Sequence, residues 1–385
     1  MTTTQTDTRP ITDSKPHYAL LDGLRGVAAL LVVWYHIFEG YQFAGGKPII
    51  DFANHGYLAV DFFFILSGFV IGYAYDNRWG TTLTLSGFFK RRLIRLHPMV
   101  ILGAAIGAAS FAISGLSRWD GTHSTPTLLL IAFVCGALMI PALPGMPREV
   151  RGNGEMFPLN GPCWSLFFEY IGNIAYALVL RRLGTRVLAA LAIILGISLC
   201  WFAITDVSTY GSIGVGWTID ATNMLGGALR MFFPFTMGLL LSRLFKPAKH
   251  VKGIFWICSL LLVALFHVPY IGSDGPLCLN GIFEMICITI IFPAIVWLAA
   301  SGTTTHQVSA KICNAIGNIS YPLYLVHYPI MYLFYKWLID TEQYTFGETW
   351  HVALLIYGAS LILAYACWKF YDVPVRRWLT SISQK

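Results

Sequence analysis

The sequence predicts an all-α fold: a polytopic membrane helical bundle of about ten transmembrane helices plus one segment that could be re-entrant. Three observations predict it. The 385-residue chain is 56% hydrophobic and only 12% charged, about half the charged fraction usual for a soluble domain. Apolar runs of about 20 residues, the length that crosses a bilayer as a helix, recur from end to end with short loops between them. A membrane barrel would instead show strands of about ten residues with alternating polarity.

Eleven segments qualify, taken here in chain order. The first, 19–38, follows a polar stretch of about 18 residues. No small-residue cleavage site follows a short apolar core, so it reads as an uncleaved anchor. Segments 56–75 and 93–114 come next, the second entered through the basic run FFKRRLIRLHP. Segment 127–143 is short and carries Pro126, Pro141, Pro144 and Pro147 at or near its ends. The remaining segments are 162–181, 187–204, 224–244, 254–271, 282–301, 318–338 and 350–371.

The placement of Lys and Arg decides between ten and eleven crossings. Basic clusters lie at 90–95, 181–186, 243–252 and 375–377, whereas 205–223 and 339–349 contain no Lys or Arg. If 127–143 does not fully cross, every basic cluster falls inside and both charge-poor loops fall outside. The expectation is therefore ten full spans, with both termini cytoplasmic. It divides the chain into a tail 1–18, an integral membrane domain 19–378 and a tail 379–385. The Gly/Pro-rich loop 144–162 then lies outside, where it either shapes a binding site or is a plain surface loop.

Several function classes drop out. The net charge of +7 comes with no basic–aromatic surface module, so no nucleic acid is expected. The eight cysteines are scattered without a C-x-x-C pair, so neither a metal site nor a disulfide framework is indicated. No phosphate-binding G-x-x-x-x-G-K-[ST] loop and no dinucleotide fingerprint occur.

What needs explaining is the polar content of the spans. LRGVAALLVVWYH (24–36) holds Arg25 and His36. Eleven positions at about 100° each return His36 to nearly the face of Arg25, about 16 Å further along the axis. Asp22 shares that face. GYLAVDFFFILSGF places Asp61 about a turn and a half from a helix start. In 162–181, Ser165, Glu169, Asn173 and Tyr176 form one stripe, and in 318–338 Ser320, Tyr324 and His327 share a face. Ionisable groups inside a membrane are costly and face a protein interior or wet cavity; snorkelling of Arg25 is the plainer reading of the first helix alone. Four such helices point to a polar interior that holds a substrate, an ion or a reaction. The expected topology puts His36, Asp61 and Glu169 in the outer half, where a carboxylate on the imidazole would make a general base. Arg91, Arg92 and Arg95 are either a positive-inside anchor or a phosphate clamp, for which guanidinium geometry is suited.

Six stretches together resemble acyltransferase family 3, the membrane group that includes bacterial polysaccharide O-acetyltransferases: LDGLRGVAALLVVWYH, GYLAVDFFFILSGFVI, FFKRRLIRLHP, WSLFFE, GNISYPLYLVHYPI and YDVPVRRW. They occur in the family's order between residues 20 and 378. The first fits the family's Arg-x10-His pattern, and Arg92–Arg95 fits its Arg-x-x-Arg pattern. The resemblance implies about ten helices and transfer of an acyl group, commonly acetyl from cytoplasmic acetyl-CoA as co-substrate, to a carbohydrate or glycolipid hydroxyl. It makes His36 the catalytic histidine and Arg25 its motif partner. Asp61 and Glu169 are further catalytic candidates, and Arg91, Arg92, Arg95 and His327 are candidates for CoA contacts. WSLFFEY departs from the usual run of two adjacent acidic residues, with Phe168 where one often stands. The extracytoplasmic hydrolase-like domain of some members is not in these residues, so the membrane domain, its loops or another protein is expected to handle the acceptor. The competing reading from another class is a transporter or flippase with a buried His/Asp/Glu pathway, although no internal repeat is evident.

Overall fold

The computed structural model describes residues 18–45, 55–246, 253–273, 275–302 and 306–383. Nearly all of the expected N-terminal tail, most of the basic run 243–252 and residues 384–385 lie outside them.

Thirteen α-helices occur among the described residues: α1 (Ala19–Gly45), α2 (Ala59–Tyr75), α3 (Leu85–Ile113), α4 (Pro126–Ala137), α5 (Cys163–Leu178), α6 (Thr185–Ile204), α7 (Ala221–Leu244), α8 (Ile254–Phe266), α9 (Leu279–Ile286), α10 (Phe292–Ser301), α11 (Gln307–Thr341), α12 (Phe346–Cys367) and α13 (Val373–Ser383). No named strand accompanies them, only three isolated bridges. Local chemistry sets several starts. Thr125 accepts from the Leu128 amide and is followed by Pro126 at the first turn of α4, and Asp220 caps α7 through Asn223 N, each satisfying an orphan amide. Short π-helical turns at Cys287–Ile291 and Trp368–Asp372 join α9 to α10 and α12 to α13. Each ends two residues before a proline, Pro293 or Pro374, whose missing N–H breaks the regular ladder.

Among the described residues, eight helical stretches are long and apolar enough to cross a membrane: Ala19–Gly45, Gly56–Arg78, Leu85–Ile113, Cys163–Arg182, Thr185–Ile204, Ala221–Leu244, Leu279–Ser301 and Phe346–Ser383. Three expected segments depart from the pattern. α11 has ample length at 35 residues, but its Tyr, Pro and His content makes it too polar to count by composition. α8 has 13 residues, about 20 Å of helix, short of a full hydrocarbon core. α4 has 12 residues and ends before Pro141. The loops on either side of α4 meet: the Trp119 amide donates to Arg151 O at 2.9 Å. The chain therefore returns to the end of the bundle that it left. The C-terminal helix runs on through the expected boundary at 378 to Ser383.

Two close pairs organise the centre. α1 packs on α11, where a Cβ at Gly26 would collide with the Ile316 backbone. α2 packs on α7, where a Cβ at Gly68 or Gly238 would collide with Phe235 O or Ile65 O. Small residues of this kind let membrane helices approach closely. The outer helices present apolar faces: Ile193, Ile194 and Ile197 of α6 and Leu355 and Ile362 of α12 are each more than 60% exposed.

Both ends of the described chain and the basic clusters gather at one end of the bundle. Lys90 donates to Ser383 O at 3.1 Å, Arg243 pairs with Asp76 at 2.7 Å and donates to Leu183 O, and Arg181 stacks on Trp79. This is the arginine end below. The loops flanking α4 occupy the opposite end, with the C-terminal part of α1.

Candidate active site

The arginine end opens into a cavity of about 660 Å³, lined by Arg25, Arg78, Arg92, Arg95 and Arg376 together with Asp22 and Glu169. Its size suits a substantial ligand. The i,i+3 spacing within α1 and α3 brings Asp22 with Arg25 and Arg92 with Arg95 to it, while Glu169 comes from α5, Arg376 from α13 and Arg78 from the turn after α2. Arg25 pairs with Asp22 at 2.7 Å and donates through Nε to Ser320 at 3.0 Å. Arg92 Nη2 donates to Glu169 Oε1 at 2.8 Å, which Ser67 also reaches at 2.9 Å. Arg376 pairs with Asp372, one turn back, at 2.6 Å. Arg95 has no hydrogen-bond or ion-pair partner among the described residues. Five guanidinium groups against two lining carboxylates make the cavity positive. Arg91 is exposed and does not line it, because one residue of helix rotates it about 100° from Arg92.

The inner end of the cavity is reached at Ser165 and Tyr324, whose hydroxyls lie 2.6 Å apart. Beyond Tyr324 lies His327, with ring centroids 6.0 Å apart, and beyond His327 lies His36, at 5.3 Å. His36 faces the opposite end of the bundle. Its Nδ1 is 2.6 Å from Glu39 Oε2, with the His36 side chain 14% and the Glu39 side chain 32% exposed. Tyr335 OH donates to His36 O at 2.7 Å and sits 3.3 Å from the same Glu39 oxygen. Tyr328 packs edge-on against the imidazole at 4.8 Å. A carboxylate on Nδ1 fixes the tautomer, leaves Nε2 as a base and stabilises the imidazolium that forms when it takes a proton.

The residues singled out by sequence therefore separate into two groups, with Arg91 and Asp61 outside both. Arg25, Arg92 and Arg95 share the cavity. Glu169, expected in the half of the bundle with His36, lies instead against Arg92, since its register on α5 points it at α3. His327, expected with the arginines, stands beside His36. Asp61 belongs to neither group: its carboxylate is bidentate with Arg230, at 2.6 and 3.1 Å, and both are buried. Arg230 also donates to Val215 O and Tyr57 O, which ties α7 to a loop and to the start of α2. The carboxylate on His36 is Glu39. Helical i,i+3 spacing could have found it. Arg78, Arg230 and Arg376 were also missed; nothing local in the chain marks them as neighbours of the other groups.

The loop 144–162 is not a plain surface loop. Glu149, Arg151, Glu155 and Asn160 within it are buried. Arg151 stacks on Tyr332 at 3.6 Å and donates to Pro158 O at 2.7 Å. Glu155 accepts from Tyr332 OH. Burial raises the Glu155 carboxyl from its ordinary 4.5 to about 7, against the lowering effects of the Tyr332 hydrogen bond and Arg151. The folded loop thus holds the proton more tightly than the unfolded one. Its anchoring is strongest below the ordinary value and weakens as pH rises through about 7. Proteolytic cleavage within 144–162 is expected to speed up between about pH 5 and about pH 8, and Glu155→Gln should flatten that dependence.

A family model described as an acyltransferase domain matches residues 18–369. The chain belongs to acyltransferase family 3. Among curated relatives of this acyltransferase chain, protein 2 in the picA locus of Rhizobium radiobacter is 41% identical over 176 residues, covering 44% of the chain and 83% of the relative. The peptidoglycan O-acetyltransferase OatA of Listeria monocytogenes is 26% identical over 94% of the chain and 56% of its own length. The O-acetyltransferase OatA of Staphylococcus aureus is 25% identical over 93% and 57%. The chain thus spans little more than half the length of the OatA proteins that it matches. No solved structure matches it.

Proposed function

We propose that this chain transfers an acyl group, acetyl first among them, from cytoplasmic acyl-CoA to a hydroxyl of a cell-surface glycan or glycolipid. The observation that carries the reading is the arginine-lined cavity whose inner end stops one side chain short of the His36–His327 pair. Arg25, Arg92 and Arg95 would hold the phosphates of the donor, where charge-assisted and forked hydrogen bonds are strong. Arg95 suits that part best, because it has no carboxylate of its own. The arginine end would face the cytoplasm, as its cluster of Lys and Arg favours.

From the other end, His36 Nε2 takes the proton of the acceptor hydroxyl while Glu39 holds Nδ1–H. The acceptor oxygen attacks the thioester carbonyl, the C–S bond breaks, and the thiol leaves through the arginine end. Acylation of His36 itself, followed by attack of the acceptor, uses the same groups. A carbohydrate hydroxyl as acceptor is supported by the peptidoglycan O-acetyltransferase among the relatives.

The test supplies radiolabelled acetyl-CoA to membranes that contain the protein and follows label into glycan and lipid fractions. Arg95→Gln should raise the KM for acetyl-CoA about 10-fold or more, the worth of one lost charged hydrogen bond, with a smaller change in kcat. Unchanged KM would remove Arg95 from the donor site. Label absent with acetyl-CoA and with other acyl-CoAs would remove the reading.

A further inference from the structure

His327 is fully buried, and its Nε2 has no hydrogen-bond partner among the described residues. Leaving a buried acceptor unpaired is costly, so a native chain that keeps one calls for a reason. The neighbours assign the ring's tautomer. His327 Nδ1 lies 2.9 Å from Leu323 O; a carbonyl only accepts, so Nδ1 carries the hydrogen and Nε2 is a bare lone pair. The same logic applies to His36, whose Nδ1–H is committed to Glu39. Two imidazoles therefore stand 5.3 Å apart between centroids, each with its Nδ1–H committed and its Nε2 without a protein partner among the described residues. They are not equivalent. His36 is partly exposed toward the end opposite the arginines, whereas His327 lies between His36 and Tyr324, which lines the arginine cavity.

We infer that His327 is a second catalytic histidine that carries the proton from His36 to the departing thiolate. The inference rests on the acyl-transfer reading above. The acceptor O–H bond breaks and its proton goes to His36 Nε2. The oxygen forms the new C–O bond, and the tetrahedral adduct collapses with cleavage of the C–S bond. His36 passes its proton to His327 Nε2, and His327 gives it to sulfur. The sum is alcohol plus thioester to ester plus thiol, with both histidines neutral again and no further reactant. The division of labour follows from position: His36 meets the acceptor on one side and His327 meets the donor on the other.

The test compares two labelled acetyl donors in membranes containing the full chain: acetyl-CoA, and the acetyl thioester of an acidic aryl thiol, whose thiolate leaves without needing a proton. His327→Gln is expected to lower transfer from acetyl-CoA by about 10²-fold or more and transfer from the aryl thioester by no more than a few-fold. His36→Gln should lose both. Equal losses of His327→Gln with both donors would mark a structural role and overturn the inference, as would full activity with acetyl-CoA. If His327→Gln does not accumulate in the membrane, His327→Asn is read in the same two-donor comparison. A wild-type chain that transfers from neither donor, or His36→Gln as active as wild type, overturns the acyl-transfer reading itself and this inference with it.

Discussion

His36→Ala is expected to lower acyl transfer by about 10²–10⁴-fold, the usual worth of a positioned general base, with the protein still present in the membrane. The side chain packs against the Tyr328 and His327 rings, but the close helix contact does not depend on it. It is partly exposed, and the α1–α11 contact beside it is made by Gly40 against the Tyr335 ring. Glu39→Gln should cost less. The amide keeps the shape but removes the charge that stabilises the imidazolium, and a charge-assisted hydrogen bond of about 1.5–3 kcal/mol corresponds to about 10–150-fold in rate. Initial rates normalised to immunoblotted protein give both numbers. Near-normal transfer by His36→Ala would dispose of the general-base role and of the acyl-histidine variant together.

The largest effect on stability is expected at Asp61. Asp61→Ala leaves the Arg230 guanidinium buried at 1% exposure with backbone carbonyls but no counter-charge. Breaking a buried pair from one side typically costs about 3–5 kcal/mol. The thermal midpoint in detergent should fall steeply, and replacing both partners together, Asp61→Leu with Arg230→Met, should restore much of it, because no lone charge remains. A variant of Asp61 that keeps its stability yet loses transfer would instead return Asp61 to the reaction, where the sequence had placed it.

How much of this was legible follows from how far apart the relevant residues lie in the chain. The spans were legible because a bilayer demands about 20 apolar residues in one run. The shortness of 127–143 was legible too, because prolines bound it: α4 has 12 residues and the loops on either side of it meet. α8 ends at Phe266, short of the expected 271, because Pro269 cannot continue the helical ladder although the run around it stays apolar. The stripe Ser320–Tyr324–His327 was legible as a single helical face, and the structure sets its members against Arg25, Ser165 and His36 in turn. The carboxylate partners across helices were not legible. Glu39 stands three residues from His36 and its pairing is local, but Asp61 and Glu169 each lie in a polar position on an apolar helix, and nothing in the run itself says which arginine each one faces.

The sequence by itself determined that this is an all-α membrane protein, where its helices fall, and that His36, Arg92 and Arg95 are among the groups to be explained. Composition, period and short motifs are local, and local patterns suffice for that. Only the tertiary structure decided that Glu169 meets Arg92, that Asp61 is taken by Arg230, and that His327 stands between the cavity and His36. These pairings join α1 with α11, α3 with α5 and α2 with α7. The helix rotations that produce them are set by side-chain packing along whole interfaces, a sum over many contacts that no single stretch of sequence contains.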